Sequence, residues 1–544
     1  MNLLSDRWLP VQRSSSGARD WVSPAQLADP DVASFDAPRA DFNAALLQFA
    51  IGLLQTTAPI ETSRDWAKRF REPPDADTLQ SWFAPVQAAF ELDGDAARFM
   101  QDRTLTTDQG TVNDIAALLI EAPGGKTLKD NGDHFIKRGQ IAGMCPCCAA
   151  AALLTLQINA PSGGAGHRTG LRGGGPLTTL VVCQPARSLW HDLWLNVQER
   201  SRFLEAGGNP EKTESFYTFP WMSAQTSLQK DGGALAPIDV HPAHVFWAMP
   251  RRIRLDFSAV EHGDCDVCGR SSEQCITQYV TKNYGLNYKG PWEHPLSPYY
   301  ESKEGWLPMH PQPGGLGYRH WLAWVLGTED EKKRQRAARV VGAQLESGRA
   351  RALGHAPLHL RAFGFDMDNM KARCWYDSTL PLYGLLECEA GALKRIQNEV
   401  SHWLSGAELA AYFLRTAVKE AWFGHEARGD LSVVDASFWS ATEASFYGVL
   451  QAVITAERQA KEADSGALKR RLHQALVHAA TSLFDECFVG AGAVERQHPQ
   501  RVAAAYRRLR QSLHGRKLRD ALALPKNDAG PDKAPYQEHE SASA

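Results

Sequence analysis

Long apolar runs are missing from this chain. Its most hydrophobic stretch, residues 44–60, is interrupted by Gln48, Gln55, Thr56 and Thr57, too short and too polar a run to span a bilayer. The opening Met-Asn-Leu-Leu-Ser-Asp-Arg carries an acid at Asp6, and without a following apolar run no secretory signal is expected. Charge of one sign is lacking too. The 59 Lys and Arg against 62 Asp and Glu leave a net −3, so no bulk charge marks a nucleic-acid partner, while local basic patches stay open. Cysteine is sparse, 10 in 544 residues, which excludes an extracellular disulfide framework. Three of the ten crowd at Cys145, Cys147 and Cys148, a clustering that suits metal binding in a reducing compartment. The expectation is a cytoplasmic protein with no membrane partner.

Catalytic signatures are also missing. There is no Gly-x-Ser-x-Gly elbow, no P-loop and no His-Glu-x-x-His helix; His425-Glu426 continues as Ala-Arg-Gly, which breaks the zinc-protease pattern. A nucleobase deaminase needs His-x-Glu ahead of Pro-Cys-x-x-Cys, and no His-x-Glu occurs. The residues therefore give no support to covalent catalysis.

What is present is a globular composition, 43% hydrophobic and 22% charged over a length too great for one core, so two or three domains are expected. Residues 1–375 mix short apolar runs with frequent Gly, Pro and Trp, the texture of strands, short helices and long loops. Beyond that the spacing turns helical: Leu472, Ala475, Leu476, Ala479, Leu483 and Cys487 follow a three-and-four rhythm. Similar patterns fill 407–423, 438–456 and 502–513. The expected fold class is α+β, a large mixed α/β domain over 1–375, then a four-helix bundle over 376–524. The polar, Pro-containing end, 525–544, is expected to be disordered.

Two Cys-x-x-Cys knuckles are the strongest local signal. Cys145-Pro146-Cys147-Cys148 precedes a helix-like run, and Cys265-Asp266-Val267-Cys268-Gly269 lies in a polar turn. Two such turns can close a four-sulfur site around one structural zinc ion, with no open position for catalysis; the alternative is reduced, buried cysteines without a metal. Cys147 is an alternative to Cys148 on spacing alone. Residues 162–175 form a glycine-rich loop containing Gly163, Gly164, Ala165, Gly166, Arg168 and Arg172. Its glycines let backbone amides approach a ligand and its arginines suit phosphates, which leaves a backbone-contact site for a polyanion or a merely structural loop. Residues 133–138, with Phe135, Lys137 and Arg138, suit stacking on a base beside a phosphate. Residues 364–371 place Asn369 and Met370 in a polar loop, an amide that can read base edges and a wedge that can enter a base step. Taken alone, either stretch reads first as a solvated loop or an ordinary turn. Arg501, Arg507, Arg508, Arg510, Arg516, Lys517 and Arg519 give the last helices a basic face, solvated or in contact with nucleic acid or protein.

These motifs occur together, and in this order, in one family. The start Met-Asn-Leu-Leu-Ser-Asp-Arg-Trp-Leu-Pro-Val, the paired knuckles, Ala160-Pro161 before the glycine loop, Gly170-Leu171-Arg172-Gly173-Gly174 and Trp292-Glu293-His294-Pro295-Leu296-Ser297-Pro298 resemble the CasA family, the large subunits of type I-E Cascade CRISPR surveillance complexes. The resemblance implies a non-catalytic subunit that recognises the protospacer-adjacent motif (PAM) in target double-stranded DNA from the minor groove. It would open the first base pairs for crRNA-guided R-loop formation and help recruit a helicase-nuclease. Its implied partners are the backbone, handle-binding and small subunits of Cascade, the crRNA and the target DNA. By the same resemblance, Gly163, Gly164, Ala165 and Gly166 press on the PAM, Asp368, Asn369 and Met370 form the duplex wedge, and Phe135, Lys137 and Arg138 lie near the crRNA handle. Cys145, Cys148, Cys265 and Cys268 match the zinc ligands. The chain departs from the family pattern at three points. A PAM-reading lysine falls on Asn283, with Lys282 one residue earlier; Ala165 stands where glycine is common; and Asn369-Met370 replaces a glutamine. Two other readings are a zinc-dependent nucleic-acid enzyme such as a nuclease, and a zinc-stapled scaffold without DNA contact.

Overall fold

The computed structural model describes residues 1–524 apart from 125–126, 128, 131–138, 162, 165, 206, 224–232, 331–332, 347–348, 354–356, 369–370, 424–429, 462–463 and 491–497. The chain divides into two compact units, Met1–Leu393 and Lys394–Ala544. Strand Lys371–Pro381 therefore belongs with the first unit.

The first unit is built around helix Ala40–Thr57. This is the most apolar stretch of the sequence, and it is buried on nearly all sides rather than along one stripe, as its composition requires. Phe49 at its middle meets the rings of Trp8, Phe90, Phe99 and Trp247 edge to face, at centroid distances from 5.3 to 6.0 Å. Each such ring taken fully from water stabilises the fold by roughly 1.5–3 kcal/mol, so this aromatic cluster anchors the unit. Around it lie five small sheets, antiparallel wherever strands pair among the described residues. Among the described residues no helix is long and apolar enough to cross a membrane.

Two of these sheets position the candidate sites. In one, strand Gln278–Lys282 runs between Thr111–Asp114 and Arg252–Leu255, with Lys282 opposite Arg252. In the other, Leu358–Asp368 runs between Thr178–Cys183 and Lys371–Pro381. The last pair forms a long antiparallel ribbon whose register ends at Asp368↔Lys371. A bulge between Asp366 and Met367 shifts the register near this tip, the usual device for re-aiming the end of a ribbon.

The second unit is helical, with four long helices among the described residues: Ala390–Phe423, Ser432–Arg458, Ser465–Ser482 and Pro499–His514. The first buries Ile396, Val400, Trp403, Ala407, Ala410 and Leu414, a three-and-four spacing that gives one apolar face. Trp403 meets Phe446 edge to face at 6.4 Å. Lys469–Glu399 (3.1 Å) and Arg508–Glu420 (2.8 Å) tie the third and fourth helices to the first. The apolar rhythm of the third helix fails at its end. Cys487 is exposed and Phe484 is buried because the chain changes to a π-helix over Leu483–Phe488, whose extra residue per turn rotates the face.

Candidate functional site

Helix Pro146–Asn159 begins at the first knuckle. Cys145 is its N-cap and Pro146 its first residue, a position where the missing N–H costs nothing. Cys148, three residues after the cap, returns to the same side of the first turn. The second knuckle joins strands Val260–Asp264 and Ser271–Ile276. Within it Gly269 (φ +71°) closes the turn by donating its N–H to the Cys265 carbonyl at 2.8 Å. The Sγ atoms of Cys145, Cys148, Cys265 and Cys268 all lie within 4.8 Å of one another, with Cys145 and Cys268 at 3.8 Å. A tetrahedral ion with metal–sulfur bonds of about 2.3 Å places its sulfurs ~3.8 Å apart, so the donor set fits such an ion. Cys148, crowded by Cys145, Cys265 and Cys268, is held above the ordinary thiol range. Three of the four thiols are buried, and Cys147 is not among the four.

Hydrogen bonds bring the knuckles together independently of any ion. The Asp266 carboxylate accepts the N–H groups of Ala142 (2.7 Å) and Gly143 (2.9 Å). Met144 and Ile276 exchange backbone hydrogen bonds of 3.0 and 2.8 Å. The site thus staples the entry of a buried helix to a hairpin distant in sequence.

The same helix ends at the glycine loop, so one rigid element carries both features. Gly170 donates to Ala160 O at 2.9 Å and Gly175 to Asn159 O at 3.2 Å, closing the loop on its own helix. The far end packs on the long ribbon: a Cβ at Gly175 (φ +61°) would stand 2.8 Å from Phe365 Cβ. At the near end, Arg251 donates to the Pro161 carbonyl and its own amide donates to Gln157 Oε1 at 3.0 Å. Burial pushes its guanidinium down to about 10, still charged at neutral pH. His167, which bridges back to Gly163, is lowered by burial and then by Arg251.

Lys282 and Asn283 arrive at this loop from the other sheet. Tyr284, the next residue, has a left-handed backbone (φ +65°) and donates its N–H to Gly166 O at 2.8 Å. A Cβ at Gly166 (φ +82°) would stand 2.5 Å from the Tyr284 ring, so only glycine fits there. Gly164, by contrast, is exposed, and a Cβ on it would meet nothing within 4 Å. Lys282 is exposed and Asn283 half-buried.

The remaining expected site residues divide as follows. Asp368 ends the long strand and lies 3.7 Å from Arg373, which also pairs with buried Asp366 at 2.7 Å. Ala165, Asn369, Met370, Phe135, Lys137 and Arg138 lie outside the described residues. Arg172 corrects the expectation that it faces a phosphate. It is 4% exposed and donates to Thr178 Oγ1 (3.0 Å), Ser297 Oγ (2.9 Å) and Gln48. It therefore holds the loop from inside, with burial lowering it to about 10. Sequence reading missed Arg251 and Tyr284; the only local signal was the tyrosine's place before Gly285, where a Cβ would stand 2.1 Å from Pro250 O.

A model of the family described as "CRISPR-associated protein Cse1" matches residues 2–482. Among solved structures, CasA of Thermus thermophilus is 17% identical, with a TM-score of 0.65 over 94% of this chain and 99% of that one. Cse1 of Thermobifida fusca is 16% identical, TM-score 0.67, over 96% and 98%. A chain of a structure described as "CRISPR RNA-guided surveillance complex" is 16% identical, TM-score 0.60, over 95% and 99%.

Proposed function

Because the chain belongs to the CRISPR-associated Cse1 family, we propose that it is the non-catalytic large subunit of a type I-E Cascade. In this role it reads the PAM of target double-stranded DNA from the minor groove and opens the duplex for crRNA-guided R-loop formation. It also helps recruit a helicase-nuclease. The observation that carries the reading is the meeting of the Gly163–Gly166 segment with Lys282 and Asn283 through the Tyr284–Gly166 hydrogen bond. That bond joins two elements read separately from the sequence, a loop with an open backbone at Gly164 and a strand end with exposed Lys282. A minor groove separates A·T from G·C but barely orients them, so backbone contact and one or two polar side chains suit a short motif. Sequence identity is left to guide pairing, and a chain of net −3 suffices when the DNA path is locally basic. The four-cysteine cluster holds one structural zinc, since four thiolates leave no position for a reacting water. Phe135, Lys137 and Arg138 serve the crRNA handle.

The test is selection of a randomised-PAM duplex library by the assembled complex, with and without this subunit, at fixed salt. A short motif enriched only when the subunit is present is expected; undiminished enrichment without it would move PAM reading elsewhere and leave this chain a scaffold.

The wedge is Asp368, Asn369 and Met370, of which Asp368 ends the long strand. Parting a base step costs a few kcal/mol, repaid as the seed heteroduplex forms. Asn369→Ala with Met370→Ala is expected to slow R-loop formation on intact duplex on the order of 10-fold or more, one to two kcal/mol of barrier. A target pre-melted beside the PAM should be spared. Equal slowing on both substrates would assign these residues to initial contact instead.

A further inference from the structure

The glycine loop and its neighbour carry three guanidinium groups, and the fold consumes two of them. Arg172 spends its donors on Thr178, Ser297 and Gln48, and Arg251 is tied to Pro161 O. Arg168 has no hydrogen bond or ion pair with any described residue, and its Nε is buried without an acceptor. Its guanidinium carbon lies 5.7 Å from the centroid of the Tyr284 ring.

That ring sits where the backbone resists. Tyr284 is one of few non-glycine residues at positive φ, and it is followed by a glycine that no side chain could replace beside Pro250. Strained backbone of this kind persists where the surroundings over-determine it, and it clusters at functional sites. Here the surroundings are the amide bond to Gly166 O and the close approach of Gly166 to the ring. The result is an aromatic platform, packed on Gly166, that carries Arg168. A guanidinium resting on an aromatic face keeps its fork of donors at the edge and loses little freedom on binding.

We propose that Arg168, positioned on the Tyr284 ring, is a phosphate-binding residue of the DNA surface formed by the glycine loop. The proposal rests on the PAM-reading role given above. It favours the backbone of the duplex over a base edge because the loop already presents its open backbone at Gly164, and an arginine of the same loop with unspent donors supplies charge that a backbone lacks. A phosphate contact anchors register without carrying sequence.

The experiment uses the assembled complex and measures duplex binding across a salt series, with motif preference read from the same randomised library. Arg168→Gln is expected to weaken binding about 3- to 10-fold and to reduce the slope of log K against log salt by ~1, with the preferred motif unchanged. Tyr284→Leu should reproduce this loss of slope, and Tyr284→Phe, which keeps the ring, should restore it. An unchanged affinity and slope for Arg168→Gln would overturn the proposal, and a changed motif with an intact slope would make Arg168 a base reader instead. Gly164→Ala separates the two levels of the argument. If it weakens binding while Arg168→Gln is silent, the Arg168 assignment alone falls. If both are silent, the surface itself is misassigned.

Discussion

Replacing Cys265 and Cys268 together with serine is expected to abolish stoichiometric zinc and to lower the melting temperature of the chain on the order of 10 °C, a loss of roughly 5 kcal/mol. The magnitude follows from what the cluster joins. Cys145 and Cys148 sit at the start of a helix whose body, Ala149 to Leu154, is buried, and Cys265 and Cys268 close the hairpin of Val260–Asp264 and Ser271–Ile276. Structural zinc sites in small peptides supply about 10–16 kcal/mol of apparent binding energy. In this chain part of the staple is already made by Asp266 and by the Met144–Ile276 bridge, so the loss is smaller and the fold survives. Metal analysis of the purified chain and scanning calorimetry check it. Cys147→Ser should retain one ion, because Cys147 lies outside the four-sulfur group. A double variant that keeps its zinc and its melting temperature would refute the closed four-cysteine site.

The knuckles were legible because the chemistry is local: two short spacings, each of which makes a turn. Spacing left Cys147 and Cys148 equivalent, and the structure separates them, since the thiol three residues beyond the cap is the one that joins Cys145, Cys265 and Cys268. The helical second unit was legible for the same reason, through periodicity, up to the π-helix at Leu483–Phe488, which no periodic reading anticipates. The glycine loop was visible as composition but not as a surface. Arg172 and Arg168 are four residues apart and chemically identical. What sends one inward is a set of acceptors at Gln48, Thr178 and Ser297, two of them far along the chain. What brings Lys282 and Asn283 to the loop is a tyrosine in a backbone conformation that favours glycine, which a propensity argument assigns against.

That dependence on Gly166 sets the second large effect. Gly166→Ala is expected to reduce DNA binding by the assembled complex at least 10-fold, about 1.4 kcal/mol or more, while the chain still folds and keeps its metal. Two independent costs fall on one atom. The backbone is left-handed at φ +82°, and the added Cβ would stand 2.5 Å from Tyr284 Cε1 and 2.8 Å from two further ring atoms. Real Cβ atoms do not approach that closely, so either the ring moves and takes Asn283 with it, or the loop lifts and Gly163 and Gly164 leave their place. In both cases the surface separates into its two halves. The core is untouched, because the displaced groups are half-buried or exposed, which limits the stability loss to about 1–3 kcal/mol. Gly164→Ala makes the opposite experiment. Its Cβ enters open space, so the free chain should melt as before, and any loss of binding can only come from a ligand lying against that backbone. A Gly166→Ala chain that binds DNA normally would show that the loop and the Asn283 segment need not meet for recognition.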